Sequence, residues 1–309
     1  MASPLPSTET CPLTGRLAAY EPRRGSRPRP ARTRNRAQLP ADRSRCPFCC
    51  GKGAPACEPA VVAGHGDAVW RATPNNFPSL SGPSGAAWLA LADTHTAPLT
   101  RPRSGLADQW AAMLAVQQQL VAAAPRWALP ATNIGAASGA SQHHPHGHVL
   151  CPDRPVPAAA RTADRLGEAA VARTVLADKV TIATHSNLRL VLPVAPYGPG
   201  DLRVVPESNE PFAAADVAAL AQLTVLWVAV SCERFGDLSG DEDTPPFDGK
   251  LAVLDRTPGG AGRWFADLLV PAEHPAAWAA ASMVDVDAPA RQRAAELRDL
   301  AGTVHADTL

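Results

Sequence analysis

The 309-residue chain lacks an excess of charge of either sign: Lys+Arg and Asp+Glu number 29 each. That balance excludes bulk electrostatic attraction to nucleic acid or to an anionic membrane as the main theme. Lysine is nearly missing. Only Lys52, Lys179 and Lys250 occur, and every other basic residue is arginine. The N-terminus, MASPLPSTET, has no apolar leader segment. The longest apolar stretch, Val217 to Val230, is too short and mixed to span a bilayer. Seven cysteines, five of them before residue 60 and four of those clustered between Cys46 and Cys57, do not make a secreted disulfide framework. A cytoplasmic protein with reduced thiols is expected, and the close cysteine spacing points to a metal.

What is present is enough apolar sequence (46%) to bury a sizeable core. Residues 1–10 read as a disordered tail. Ten arginines between Arg16 and Arg45 read as a solvated arm. Strand character is seen at Ala68–Ala72, Ala86–Ala92, Lys179–Ala183, Asn187–Pro193, Asp201–Pro206, Leu251–Leu254 and Arg263–Pro271. Helices are expected over Ala107–Pro125, within 152–178, and over Ala213–Val230 and Pro289–Leu300. On the first helix Trp110, Leu114 and Val121 share one side, with the glutamines on another. The halves, 11–160 and 161–309, each read as several strands and one long helix. The fold class is therefore α+β, with antiparallel sheets flanked by helices and the halves as a diverged duplication.

Cys46-Pro-Phe-Cys49 has the spacing with which two thiolates grip one tetrahedral Zn²⁺. A redox pair would want the motif at a helix start, whereas glycines follow here. Cys50 and Cys57 are further thiols nearby. The remaining ligands would be histidines, from His65, His95, His143 or His144. Four of the nine histidines fall in His143-His144-Pro-His146-Gly-His148. On an extended segment His144, His146 and His148 share a face, about 6.6 Å apart. That is too wide for neighbouring ligands of one metal. It suits one histidine holding a metal while the next does chemistry. The preceding Gly135, Ser138, Gly139 and Ser141 could turn backbone N–H groups toward an anion.

GASQHHPHGHVL resembles the active-site segment of the galactose-1-phosphate uridylyltransferase family, in the histidine-triad superfamily. Cys11-Pro-Leu-Thr-Gly-Arg16 with EPRRGSRP, CPFC, AVWRATPNNFPSL and PVAPYGPGDLRVVPE resemble further segments of that family. The resemblance implies zinc on Cys46, Cys49, His95 and His144, with His146 as nucleophile and His148 beside it. It implies nucleotide and phosphate contacts from Arg24, Arg27, Asn75, Asn133 and Ser141. It also implies a homodimer acting on a nucleotide sugar and a phosphorylated acceptor. The sequence departs from the family at four places. His148 replaces a glutamine, as in hydrolase branches. Arg263–Pro271 has no His-x-His pair for a second metal. Ala280–Asp287 (AASMVDVD) lacks the hexose-contacting polar groups, against galactose 1-phosphate as acceptor, and Cys11 replaces an aspartate. A hydrolase, a phosphorylase and a non-catalytic zinc-stabilised nucleotide-binding protein are the alternatives.

Overall fold

The computed structural model describes residues 7–10, 17–20, 46, 48–49, 59–76, 78–82, 85–93, 95, 98–124, 127–135, 137–140, 142–154, 156–193, 200–236, 245–254, 263–270 and 290–308. A short antiparallel pair, β1 (Ser7–Thr10) and β2 (Leu17–Tyr20), stands apart from the main sheet. Ten strands form that sheet: β3 (Val61–His65), β4 (Ala68–Pro74), β5 (Gly85–Ala92), β6 (Leu129–Ile134), β7 (His146–Pro152), β8 (Thr181–His185), β9 (Leu188–Val191), β10 (Leu202–Pro206), β11 (Gly249–Leu254) and β12 (Phe265–Leu269). Their spatial order is β3-β4-β5-β7-β6-β11-β12-β10-β9-β8, with every neighbouring pair antiparallel.

The order repeats about the centre. Three strands, a long helix and two strands make the first half; the same series makes the second. The long helices are α1 (Leu106–Ala123) and α4 (Ala214–Phe235), which pack on each other. β6 and β11 then pair, Lys250 opposite Asn133 and Ala252 opposite Ala131, so two half-sheets become one. The hairpins that open the halves also correspond. His65 precedes Gly66 (φ 53°) in one, and His185 precedes Ser186 (φ 55°) in the other. Both are tight turns needing a left-handed residue.

One sheet face is buried under α1, α4 and α5 (Ala290–Thr308). Trp70, Val149, Leu190, Val204, Val253 and Leu268 point into that core. α4 is long and apolar enough to cross a membrane, but 72% of its apolar window is buried inside the protein, as for a core helix. On the opposite face α2 (Pro157–Gly167) and α3 (Ala169–Val175) cover only the second half, over Val191, Val205 and Phe265. The first half keeps that face uncovered by any helix among the described residues.

Four readings change. Residues 152–178 hold two helices rather than a linker and one, because Glu168 (φ −68°, ψ 124°) breaks the run after Gly167. β3 and β6 are strands where none was expected. Gln117 lies on the buried side of α1, fully enclosed, not on a separate polar side. Its amide nitrogen, Nε2, donates to the carbonyl oxygens of Ala131 (3.4 Å) and His148 (3.3 Å).

Candidate active site

The Cys46-Pro-Phe-Cys49 turn is closed by the Cys49 N–H donating to the Cys46 carbonyl oxygen (3.2 Å). β5 ends at Ala92, and His95 follows three residues later. His144 sits two residues before β7, and the carbonyl of the intervening Pro145 accepts the Ala92 N–H at 3.2 Å. These segments converge: one ligand atom from each of Cys46, Cys49, His95 and His144 lies within 4.8 Å of the others. Cys49 Sγ is 3.1 Å from His144 Nδ1 and 3.3 Å from His95 Nδ1. Ligands on a tetrahedral zinc would stand about 3.6 Å apart for such a sulfur–nitrogen pair.

The second nitrogen of His144 supports the same reading. Its Nε2–H donates to the Ala92 carbonyl oxygen at 2.7 Å, which leaves Nδ1 as the lone-pair nitrogen facing the sulfurs. Burial holds the His144 pKa down to about 4, so the ring is neutral, the form that ligates metals. The donor set therefore fits a metal ion. His65 and His143 are not in the cluster. His65 instead pairs with Asp108 at 2.8 Å beside the β3–β4 turn.

His146 opens β7. Its Nδ1–H donates to the His144 carbonyl oxygen (2.8 Å), so the ring lone pair is on Nε2. The ring is buried and lines a small cleft with Asn133, Gly135, Gln142 and Pro245. His148 stands on the same face, its ring centroid 5.4 Å from that of His146. His144 does not join this row: it lies before the strand and turns to the sulfurs.

Gly147, between the two histidines, faces the core. A Cβ there would meet Gln117 Nε2 at 2.5 Å and Thr132 Oγ1 at 2.9 Å. Glycine is required so that α1 and β6 can close behind the strand. Phe48, from the Cys turn, places its ring 5.7 Å from His144 and 5.4 Å from His146. It joins the Cys46–Cys49 turn to the His146 ring.

The loop before the histidines is built differently from the anion-binding loop expected. Gly135 (φ 82°) is forced by Asp248, whose Oδ1 would lie 1.7 Å from a Cβ at that position. Asp248 Oδ2 accepts the Ala137 N–H at 2.6 Å, and the Ala140 N–H goes to the Gly135 carbonyl oxygen. The Ser138 hydroxyl is turned inward onto the carbonyls of Ile134 and Gly135 (2.7 and 2.8 Å). Those groups hold the loop rather than a ligand.

Asn133 is beside His146, on β6. Asn75 is not: its N–H pairs with the Ala87 carbonyl oxygen, four residues along β5 from Leu91, which faces His146. At a rise of about 3.3 Å per residue, Asn75 is some 13 Å along the sheet. Arg24, Arg27, Ser141, Cys50, Cys57 and the segment Ala280–Asp287 lie outside the described residues.

A structure of a uridylyltransferase superposes with a TM-score of 0.69, covering 97% of this chain and 99% of that one at 15% identity. The chain has the uridylyltransferase fold. A mutant uridylyltransferase (TM-score 0.67, 14% identity, 97% and 98% covered) is similar in the same way. So is an ADP-glucose phosphorylase from Arabidopsis thaliana with bound ADP-glucose (0.64, 14%, 96% and 99%). No family model and no curated protein sequence matches. In the uridylyltransferase fold of this chain, the Cys46, Cys49, His95 and His144 cluster and His146 fall within one half, and Asp248 of the other half buttresses the adjoining loop.

Proposed function

We propose that the chain is a zinc-containing nucleotidyltransferase, acting on a nucleotide sugar or sugar 1-phosphate through a covalent nucleotidyl-His146. One observation carries the reading. The His144 carbonyl fixes the His146 tautomer and leaves Nε2 basic on a ring that lines a cleft. A neutral imidazole is a competent nucleophile toward phosphorus near neutral pH, and the phosphoramidate formed is labile enough to discharge again.

His146 Nε2 attacks the α-phosphate, and the Nδ1–H stays on the His144 carbonyl throughout, stabilising the positive charge that the ring acquires. Asn133 borders the phosphate, and Asn75 is placed to meet the nucleoside at the far end of the open face. Arg24, Arg27 and Ser141 are assigned to the phosphates from the family motifs. Zinc on Cys46, Cys49, His95 and His144 supplies a cross-link between the Cys turn and the ends of β5 and β7. Residues 11–160 and 161–309 are assigned as the two histidine-triad-like halves, and the chain as a homodimer.

A second reading keeps the first step and ends with water or inorganic phosphate. It is favoured by His148, a titratable ring 5.4 Å from His146 where the family has glutamine. The test of both is incubation of the zinc-loaded protein with UDP-glucose and ADP-glucose, followed by intact mass spectrometry. A mass gain of one nucleotidyl group, mapped to His146, is the expected result. No gain with any nucleotide sugar rejects these compounds as donors, and a gain that survives His146→Ala rejects His146 as the nucleophile.

A further inference from the structure

Lys250 stands half-buried on the sheet face opposite the α1–α4 core, the face that also carries His146, and the chemistry above does not use it. It lies on β11 directly opposite Asn133 of β6. Cross-strand partners share a face, and Asn133 lines the cleft with His146. The β6–β7 register pairs Ala131 with His148, which brings Asn133 level with His146 two residues on. Lys250 is thus two strand spacings from His146, roughly 10 Å between their Cα atoms. Their side chains rise from the same face, with Asn133 between them.

The stem of Lys250 is half-buried, and no carboxylate lies within ion-pair distance of its ammonium among the described residues. The next cation along this face is different. Arg203 is held by Asp267 at 2.6 Å and stacks 4.6 Å over Phe265. Between His148 and that ion pair the facing residues are Ala131 and Ala252, so the sheet is shallow there. An uncompensated ammonium beside a shallow trough is a place for an anion.

The order of strands gives the anion a direction. β7, with His146, stands between β5–β4, which lead to Asn75, and β6–β11, which lead to Lys250. A phosphorus on His146 can send its nucleoside one way and its leaving group the other. In-line attack also puts the leaving oxygen on the side of phosphorus away from Nε2, above the sheet. The four-carbon stem of a lysine lifts its charge to that level.

We infer that Lys250 receives the phosphate of the leaving group, so that the donor is a nucleoside diphosphate compound. This rests on the nucleotidyl-His146 reading. In the step, the Nε2 lone pair forms the N–P bond. The bond from the α-phosphorus to the bridging oxygen breaks, and its electron pair stays on that oxygen. The departing phosphate gains one negative charge, which the ammonium offsets. No other reactant is consumed.

The test compares wild type, K250A and K250R, all zinc-loaded, with two donors of the same nucleoside. One is the nucleotide sugar (UDP-glucose or ADP-glucose). The other is the nucleoside 5′-phosphorimidazolide, whose leaving group carries no phosphate. The rate of covalent nucleotidylation is read by intact mass spectrometry. K250A should lower the rate about 10- to 100-fold more with the nucleotide sugar than with the imidazolide, and K250R should restore most of the difference. Equal losses with both donors, or no loss, overturn the assignment. Wild type labelled by the imidazolide but by neither nucleotide sugar also overturns it, with His146 still the nucleophile. Wild type labelled by no donor overturns the nucleotidyl-His146 reading itself.

Discussion

The carbonyl oxygen of His144 accepts the Nδ1–H of His146 at 2.8 Å, while the ring of His144 faces Cys49 at 3.1 Å. One residue therefore serves the metal cluster with its side chain and the reactive ring with its backbone. The two roles separate by mutation. His146→Ala should abolish covalent labelling and leave bound zinc at the wild-type level. His144→Ala should lose zinc, and labelling should fall with it because the backbone carbonyl is no longer held. Elemental analysis beside intact mass spectrometry measures both. Zinc lost from His146→Ala and kept by His144→Ala would mean that the roles are exchanged.

Gly147→Ala should destabilise the fold by about 1–3 kcal/mol, since the new methyl must displace Gln117 Nε2 and Thr132 Oγ1. Urea unfolding measures this. A shift of the midpoint within error would show that α1 gives way freely behind β7.

Acidification should weaken the metal-free protein. The folded-state pKa of His144 is held at about 4 by burial, below the ordinary 6.5. The unfolded chain takes up the proton first as pH falls through 6.5, so stability declines from there and levels off below pH 4. The loss totals about 3 kcal/mol. Chelated protein, unfolded in urea between pH 7.5 and 4, should show this slope, and His144→Gln should remove it. An unchanged slope in that variant would assign the effect to other groups.

His148→Gln should raise transfer relative to hydrolysis, if the ring beside His146 helps water reach the nucleotidyl intermediate. Single-turnover product ratios, with labelled intermediate offered water alone or with a sugar 1-phosphate, give the answer. An identical ratio rejects a role for His148 in discharge.

Long, strongly patterned elements were legible from the residues alone. α1 and α4 carry enough apolar side chains that no turn signal competes with them, and Cys46 and Cys49 stood out by their spacing, whereas His95 and His144 were singled out from four candidate histidines by the family resemblance alone. β3 escaped because it is an edge strand with exposed positions at Val62, Gly64 and His65. β6 escaped because Pro130 and Asn133 are poor strand formers. Pro130 is tolerated because the β11 ladder stops at Ala131, so its missing N–H leaves no bond unmade on that side. The site residues that arrive from a distance were not legible. Asp248 and Lys250 lie more than a hundred residues from the loop they serve, and only the β6–β11 register brings them there. Gln117 read as surface because an amide on an amphipathic helix ordinarily is. Its burial follows from the bare backbone of Gly147, which leaves room for one polar side chain to brace the strand.

Joining the halves through β6 and β11 has a mechanical outcome. His146, Asn133 and Lys250 stand on three successive strands of one hydrogen-bonded plate, with no hinge between them. A ligand lying across these strands meets one continuous sheet rather than a gap between two lobes.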